Sequence, residues 1–221
     1  MAASRSQNSG DTTGAPTSIL ADSLGAPDTS ATARVPWQEL VKDVLSRRWT
    51  ILIPLAAVLS ISLLLRHRQL VAWPALVFLT AVCVLLTAVD LRYRRLPAGV
   101  VLWSYPILAG LLLIAALAHH EVSAWGRAVT AAAAVGAVMH LVPDRVIGHG
   151  DAKLLGLLIM MPAWFGWSIV PPALLVFFVP VAAESTALLV TGRAKRGDQI
   201  AFGPPLMVGA YLYLLITGKS W

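Results

Sequence analysis

Seven apolar runs set the possibilities for this chain, at about residues 49–65, 69–89, 98–118, 123–142, 153–169, 171–191 and 201–217. Each is close to the ~20 residues that a helix rising 1.5 Å per residue needs to cross a ~30 Å hydrocarbon layer. Helices are expected, because an open strand would leave backbone groups unpaired in lipid. The fold class read from this pattern is all-α: a polytopic membrane bundle of about seven transmembrane helices. Pro74, Pro106, Pro162 and Pro180 fall inside the runs, where bundled membrane helices tolerate proline and soluble helix interiors do not. The boundary at Val170-Pro171-Pro172 is the least sharply marked. A hydrophobic fraction of 57% against 13% charged lies far from soluble averages. The formal net charge of +6 does not point to nucleic acid, since the Lys and Arg residues cluster between apolar runs and do not line one face of a soluble element. The single cysteine, Cys83, sits inside a run, so the sequence supports neither a disulfide framework nor a zinc knuckle.

Three stretches divide the chain. Residues 1–35, rich in Ser, Thr, Ala, Gly and Asp, offer few bulky apolar side chains to offset the entropy of ordering, and predict a disordered cytosolic tail. A cleaved signal peptide is not expected there, because the first hydrophobic run comes too late. Residues 36–68 hold one apolar run preceded by Trp37, Leu40, Val41, Val44 and Leu45 at helical intervals among charges. That pattern fits an amphipathic helix on the membrane surface or an extension of the first transmembrane helix. Residues 69–221 carry the other six runs and the polar motifs.

Orientation follows from the positive charges. Alternate connections place Lys42, Arg47, Arg48, Arg92, Arg94, Arg95, Arg145, Lys153, Arg193, Lys195 and Arg196 on one side, and Arg66, Arg68, Arg127 and Lys219 on the other. Eleven against four predicts a multi-pass protein of the cell (inner or plasma) membrane with its amino terminus in the cytosol. Asp90, at the end of one run, and Asp151, at the start of another, then return to the same cytosolic face. An ionised carboxylate near hydrocarbon is costly, so each is expected to face a wet cavity or take up a proton. Sharing one cavity, they would pair a neutral acid with a charged base, the arrangement of an aspartyl protease. Gly148 and Gly150 would let a peptide backbone come close. The bland alternative is that Asp90 caps a helix end and Asp151 is a first-turn carboxylate favoured by the helix dipole.

Asp90 with Arg92 and Leu96-Pro97, then Gly148-His149-Gly150-Asp151-Ala152-Lys153, then Ile200-Ala201-Phe202-Gly203-Pro204-Pro205-Leu206, together resemble the type IV prepilin peptidase family of GxGD membrane aspartyl proteases. The resemblance covers about residues 69–217. It implies cleavage of the basic leader of prepilin-like proteins at the cytosolic face, without a metal or other cofactor, as in type IV pilus and type II secretion systems. It assigns catalysis to Asp90 and Asp151, and places Gly148, His149, Gly150, Lys153, Phe202, Gly203 and Pro204 in the motifs around them. Many family members also carry a methyltransferase portion with paired Cys-x-x-Cys motifs. With one cysteine and no such loop, this chain is similar to short forms lacking it, and N-methylation of the product is not expected. Ala201 stands where the family often has proline.

Other polar residues are weighed against these. Glu184 either lies behind the carboxylates, lining their cavity, or is satisfied by a neighbouring helix. Lys153, two positions past Asp151, points to another side of the helix and reads as an interfacial anchor. Arg92, Arg94 and Arg95 read as topology determinants contacting anionic lipid. His140, Asp144, His149 and Asp151 match no compact metal pattern. His119 and His120 fall on the outer side. Pro172-Ala173-Leu174 resembles a motif of presenilin-like proteases but lies at the outer end of its helix, away from both aspartates. Two other functions remain open: a proton-coupled transporter using buried carboxylates, which would be expected to show matched broken helices in two halves, and a structural subunit of a secretion assembly. The partners expected are prepilin-like substrates and the lipid bilayer; the sequence leaves the oligomeric state open.

Overall fold

The computed structural model describes residues 36–66, 72–93, 96–142, 148–192 and 202–217. The tail of residues 1–35 lies outside them, as do Arg68, Arg94, Arg95, Asp144, Arg145, Arg193, Lys195, Arg196, Ala201 and Lys219. The described residues form seven α-helices: α1 (Trp37–Arg66), α2 (Trp73–Tyr93), α3 (Ala98–His119), α4 (Val122–His140), α5 (His149–Phe165), α6 (Val170–Val190) and α7 (Gly203–Thr217). One 3-10 turn, Trp167–Ile169, links α5 to α6. The molecule is a polytopic helical membrane bundle. By length and composition, four spans qualify on their own: α2, α3, Val122–Met139 of α4, and Trp167–Val190; bent α1 would make a fifth. The other two of the seven runs form shorter helices. α7 has 15 residues and α5 has 17, because the run expected to reach residue 169 breaks at Gly166, which adopts extended backbone.

Helix ends follow local chemistry. Pro74 occupies the second position of α2 and Pro171 the first turn of α6, where no intrahelical N–H is lost. α3 ends on His120 in the left-handed region at φ 59, its N–H bonded to the Ala116 carbonyl. Gly192, at φ 67, follows α6 in the same conformation, which glycine adopts without a Cβ penalty.

α5 is the axis of the bundle. Twelve of its seventeen residues are buried, and α3, α4, α6 and α7 all touch it. Between membrane helices, small residues let backbones approach, and two glycines do so here. A Cβ on Gly156 would collide with the Tyr105 hydroxyl and stand 3.2 Å from the Ala132 carbonyl oxygen, so α3, α4 and α5 close at that point. A Cβ on Gly209 would stand 2.6 Å from the Phe177 carbonyl oxygen, which sets α6 on α7. Hydrogen bonds from side chain to backbone tie helices together. Tyr105 donates to the Lys153 carbonyl at 2.6 Å, Trp125 to Ala109 at 3.0 Å, Arg127 to Trp164 at 3.0 Å and Tyr213 to Ile169 at 3.3 Å.

α1 turns by 90° between Trp37–Ser46 and Thr50–Arg66. Its first part does not lie free. Trp37 sits where a Cβ on Gly99 would be, 2.6 Å from its Nε1. Asp43 pairs with Arg92 at 3.0 Å and accepts from the Tyr93 hydroxyl at 2.5 Å, and Val44 is buried. Arg92, expected to contact lipid, is therefore held by a protein carboxylate. The long second part is fastened to α7, through the paired hydroxyls of Ser62 and Tyr211 and a bond from Arg66 to the Leu215 carbonyl at 3.1 Å.

Candidate active site

Three chain segments meet at one end of the bundle: the end of α2, the start of α5 and the start of α7. Asp90 lies one turn before the end of α2, and only 4% of it is exposed. Asp151 falls in the first turn of α5 and is half-buried. α5 begins before the apolar run because its first turn can carry a carboxylate at the positive end of the helix dipole. Gly203 opens α7 and is buried.

Gly203 fixes the geometry. A Cβ placed on it would stand 2.8 Å from Asp90 Oδ2 and 3.6 Å from Asp151 Oδ1. Two oxygens so close to one point can be no farther apart than the sum of those distances, so at most about one water could separate them. The other oxygen of Asp151 turns back over its own helix start, 3.3 Å from a Cβ on Gly148. Gly148 is extended at φ −64, ψ 145, so what its lack of a side chain supplies here is space for that carboxylate.

Leu96, read in the sequence only as part of the Leu96-Pro97 motif, takes a definite place in the site. Its Cβ stands 3.2 Å from a Cβ on Gly150, and its Cδ1 stands 3.1 Å from a Cβ on Gly203. The side chain therefore wedges between the two glycines and forms an apolar wall beside the carboxylates. The signal was its place in Leu96-Pro97, where Pro97 starts α3 and its carbonyl accepts from Val100 at 2.9 Å.

Other motif residues stand apart. His149 and Lys153, four positions apart and so on one face of α5, line a groove of about 570 Å³ between α3, α4 and α5 that neither aspartate borders. Phe202 is half-buried against the core, and its carbonyl accepts from Leu206 at 3.1 Å, starting α7. Pro204 follows in that first turn, where its missing N–H costs nothing. Glu184 is exposed on the final two turns of α6 and makes no hydrogen bond or ion pair with a described residue. Among the described residues, no group of three His, Cys, Asp or Glu side chains could hold a metal ion.

Fold and site together define a multi-pass helical membrane protein with two carboxylates converging at one end of the bundle. The model of the type IV leader peptidase family matches residues 77–185, just under half of the chain. That segment contains both aspartates and stops short of Gly203. The chain is 32% identical over 147 residues to a prepilin leader peptidase/N-methyltransferase of Stutzerimonas stutzeri, covering 64% of this chain and 49% of that protein. It is 36% identical over 69 residues to the protein of that description from Pseudomonas aeruginosa, covering 31% and 23%. With the one from Burkholderia pseudomallei the identity is 35% over 80 residues, covering 33% and 25%. The chain thus spans about half the length of the first of these curated relatives and about a quarter of the others. No solved structure matches the chain at a significant level.

Proposed function

We propose that this protein is an aspartic endopeptidase that removes the leader peptide of prepilin-like substrates at the cytosolic face of the cell membrane. The observation that carries the reading is the convergence of Asp90 Oδ2 and Asp151 Oδ1 on Gly203, within a segment matched to the leader peptidase family.

The chemistry needs one carboxylate charged and the other protonated. Two carboxylates this close, with little water around them, favour holding a single proton between them. The charged member takes a proton from the water lying between them while that water's oxygen attacks the scissile carbonyl. The protonated member gives its proton to the oxyanion. In the second half of the reaction a proton passes to the departing nitrogen, the C–N bond breaks, and the pair returns to one shared proton. No metal or other cofactor has a part in this scheme. Leu96 closes one side of the water site, and Gly150 and Gly203 keep side chains away from the place where a substrate backbone would lie. The cytosolic placement rests on the excess of Lys and Arg at the carboxylate end of the helices. Methyl transfer, which forms part of the relatives' description, is assigned to no residue here. Cys83, the single cysteine, lies within α2, away from the carboxylates.

Leader cleavage by membranes containing the native chain, Asp90→Asn and Asp151→Asn, read as a mobility shift of a co-expressed prepilin, tests the proposal. Each isosteric change is expected to lower the rate by about a hundredfold to ten-thousandfold, the range for removing a general acid or base. Retained cleavage in either variant removes that aspartate from the mechanism.

A further inference from the structure

Beside the carboxylate end lies a cleft of about 500 Å³ bounded by α1, α2 and α7, to which the chemistry above gives no part. Its wall is almost wholly apolar, with Leu59, Leu79, Val84, Leu158 and Met207 at its back. Ile51, Leu55, Val208 and Leu212 line it and are exposed, so it opens sideways, toward where the bilayer's chains would lie. α1 is fastened to α7 at Ser62 and Arg66, and to α2 at Asp43. Between those fastenings α1 and α7 stand apart, and the cleft is the gap.

The mouth nearest the carboxylates is basic. Arg48 and Arg92 border it. Arg92 is held by Asp43, whereas Arg48 is exposed and makes no hydrogen bond or ion pair with a described residue. An apolar slot with an uncompensated cation at its interfacial end complements an amphiphile with a negative head and a hydrocarbon tail. Its volume lies in the range of small-molecule sites, about 300–1,000 Å³, while a membrane helix alone is about 10 Å across. A basic leader segment would meet like charge at this mouth.

We propose that the cleft is a selective site for an anionic phospholipid, with one acyl chain between α1, α2 and α7 and the headgroup against Arg48. Any lateral opening in a bilayer admits lipid in passing; the claim is that a negative headgroup held at Arg48 keeps a chain in this slot for a larger share of the time. The site does not depend on the peptidase reading and can be tested without it.

Cys83 lines the cleft and is the chain's single cysteine, so its alkylation by N-ethylmaleimide, an uncharged reagent, reports occupancy. The full chain is reconstituted in vesicles of phosphatidylcholine alone, or of phosphatidylcholine mixed with phosphatidylglycerol. Alkylation is expected to be slower in the mixed vesicles by about fivefold, the factor matching one Lys or Arg acting on anionic lipid. Arg48→Gln should abolish the difference, Arg48→Lys should keep it, and Ala88→Phe, which fills the slot, should slow alkylation in both vesicles. Equal rates in the two compositions, or a difference that survives Arg48→Gln, would overturn the proposal. Protection of Cys83 by a leader-bearing peptide in neutral vesicles, with no effect of phosphatidylglycerol, would also overturn it, making the cleft the seat of a peptide.

Discussion

The two faces of the first turns of α5 carry charges only two positions apart and put them to different uses. Asp151 turns toward α2 and α7, where its Oδ1 and Asp90 Oδ2 both face Gly203. His149 and Lys153 turn the other way, into a groove walled by Leu102, Tyr105, Ala132 and Gly136. A helix sends residues two apart to different sides, so a motif read as one string supplies two surfaces. Only one of them touches the carboxylate pair. The contrast predicts unequal costs for substitutions that look alike on paper.

The largest effect after loss of an aspartate is expected at Gly203. In Gly203→Ala the new methyl would lie 2.8 Å from Asp90 Oδ2, and since a carboxylate swings more easily than a backbone, Asp90 would leave its position. Leader cleavage should fall by about a hundredfold, as for a displacement of ~1 Å in a reacting group, with little change in the thermal midpoint in detergent. Activity near native would break the dyad geometry.

On the opposite face the damage should appear in stability. Gly156→Ala drives a methyl into the Tyr105 hydroxyl and the Ala132 carbonyl and should cost about 1–3 kcal/mol, the usual range for overpacking. Tyr105→Phe keeps the packing but loses the bond to the Lys153 carbonyl, at about 1 kcal/mol. Denaturation in mixed micelles orders the two variants. The reverse order would mean that the helix contact is looser than described.

The smallest effects are expected at His149→Ala and Lys153→Ala, whose leader cleavage should stay within about twofold of native, as for surface changes worth ~0.5 kcal/mol or less. A severe loss at either would draw the groove face into the chemistry. A pH series sharpens the same contrast. If one proton is shared, cleavage falls on both sides of an optimum, and the limits belong to the pair. His149→Ala should leave that profile where it is.

Much of this was legible in the sequence, for reasons that differ by region. The seven apolar runs became seven helices because hydrocarbon leaves the backbone no alternative. Asp90 and Asp151 converge as expected of helices that return to one face. Boundaries were less legible: α5 starts at His149, since polar residues are tolerated in a first turn, and breaks at Gly166 before the apolar run ends. Arg92 read as a lipid contact because its partner, Asp43, lies on another helix. Leu96 was legible as part of a motif but not in its role, which exists only once Gly150 and Gly203 are brought against it. Composition and periodicity report what one helix does with its surroundings; they do not report which neighbour arrives.

The burial of α5 on nearly all sides has a consequence for motion. An aspartate mounted on the most enclosed rod of the assembly has little freedom to travel toward a peptide. Any change in the spacing of the pair falls instead to α2, nine of whose 21 residues are buried, against twelve of seventeen in α5. One carboxylate thus sits as if on an anvil, and its partner is the piece with room to shift.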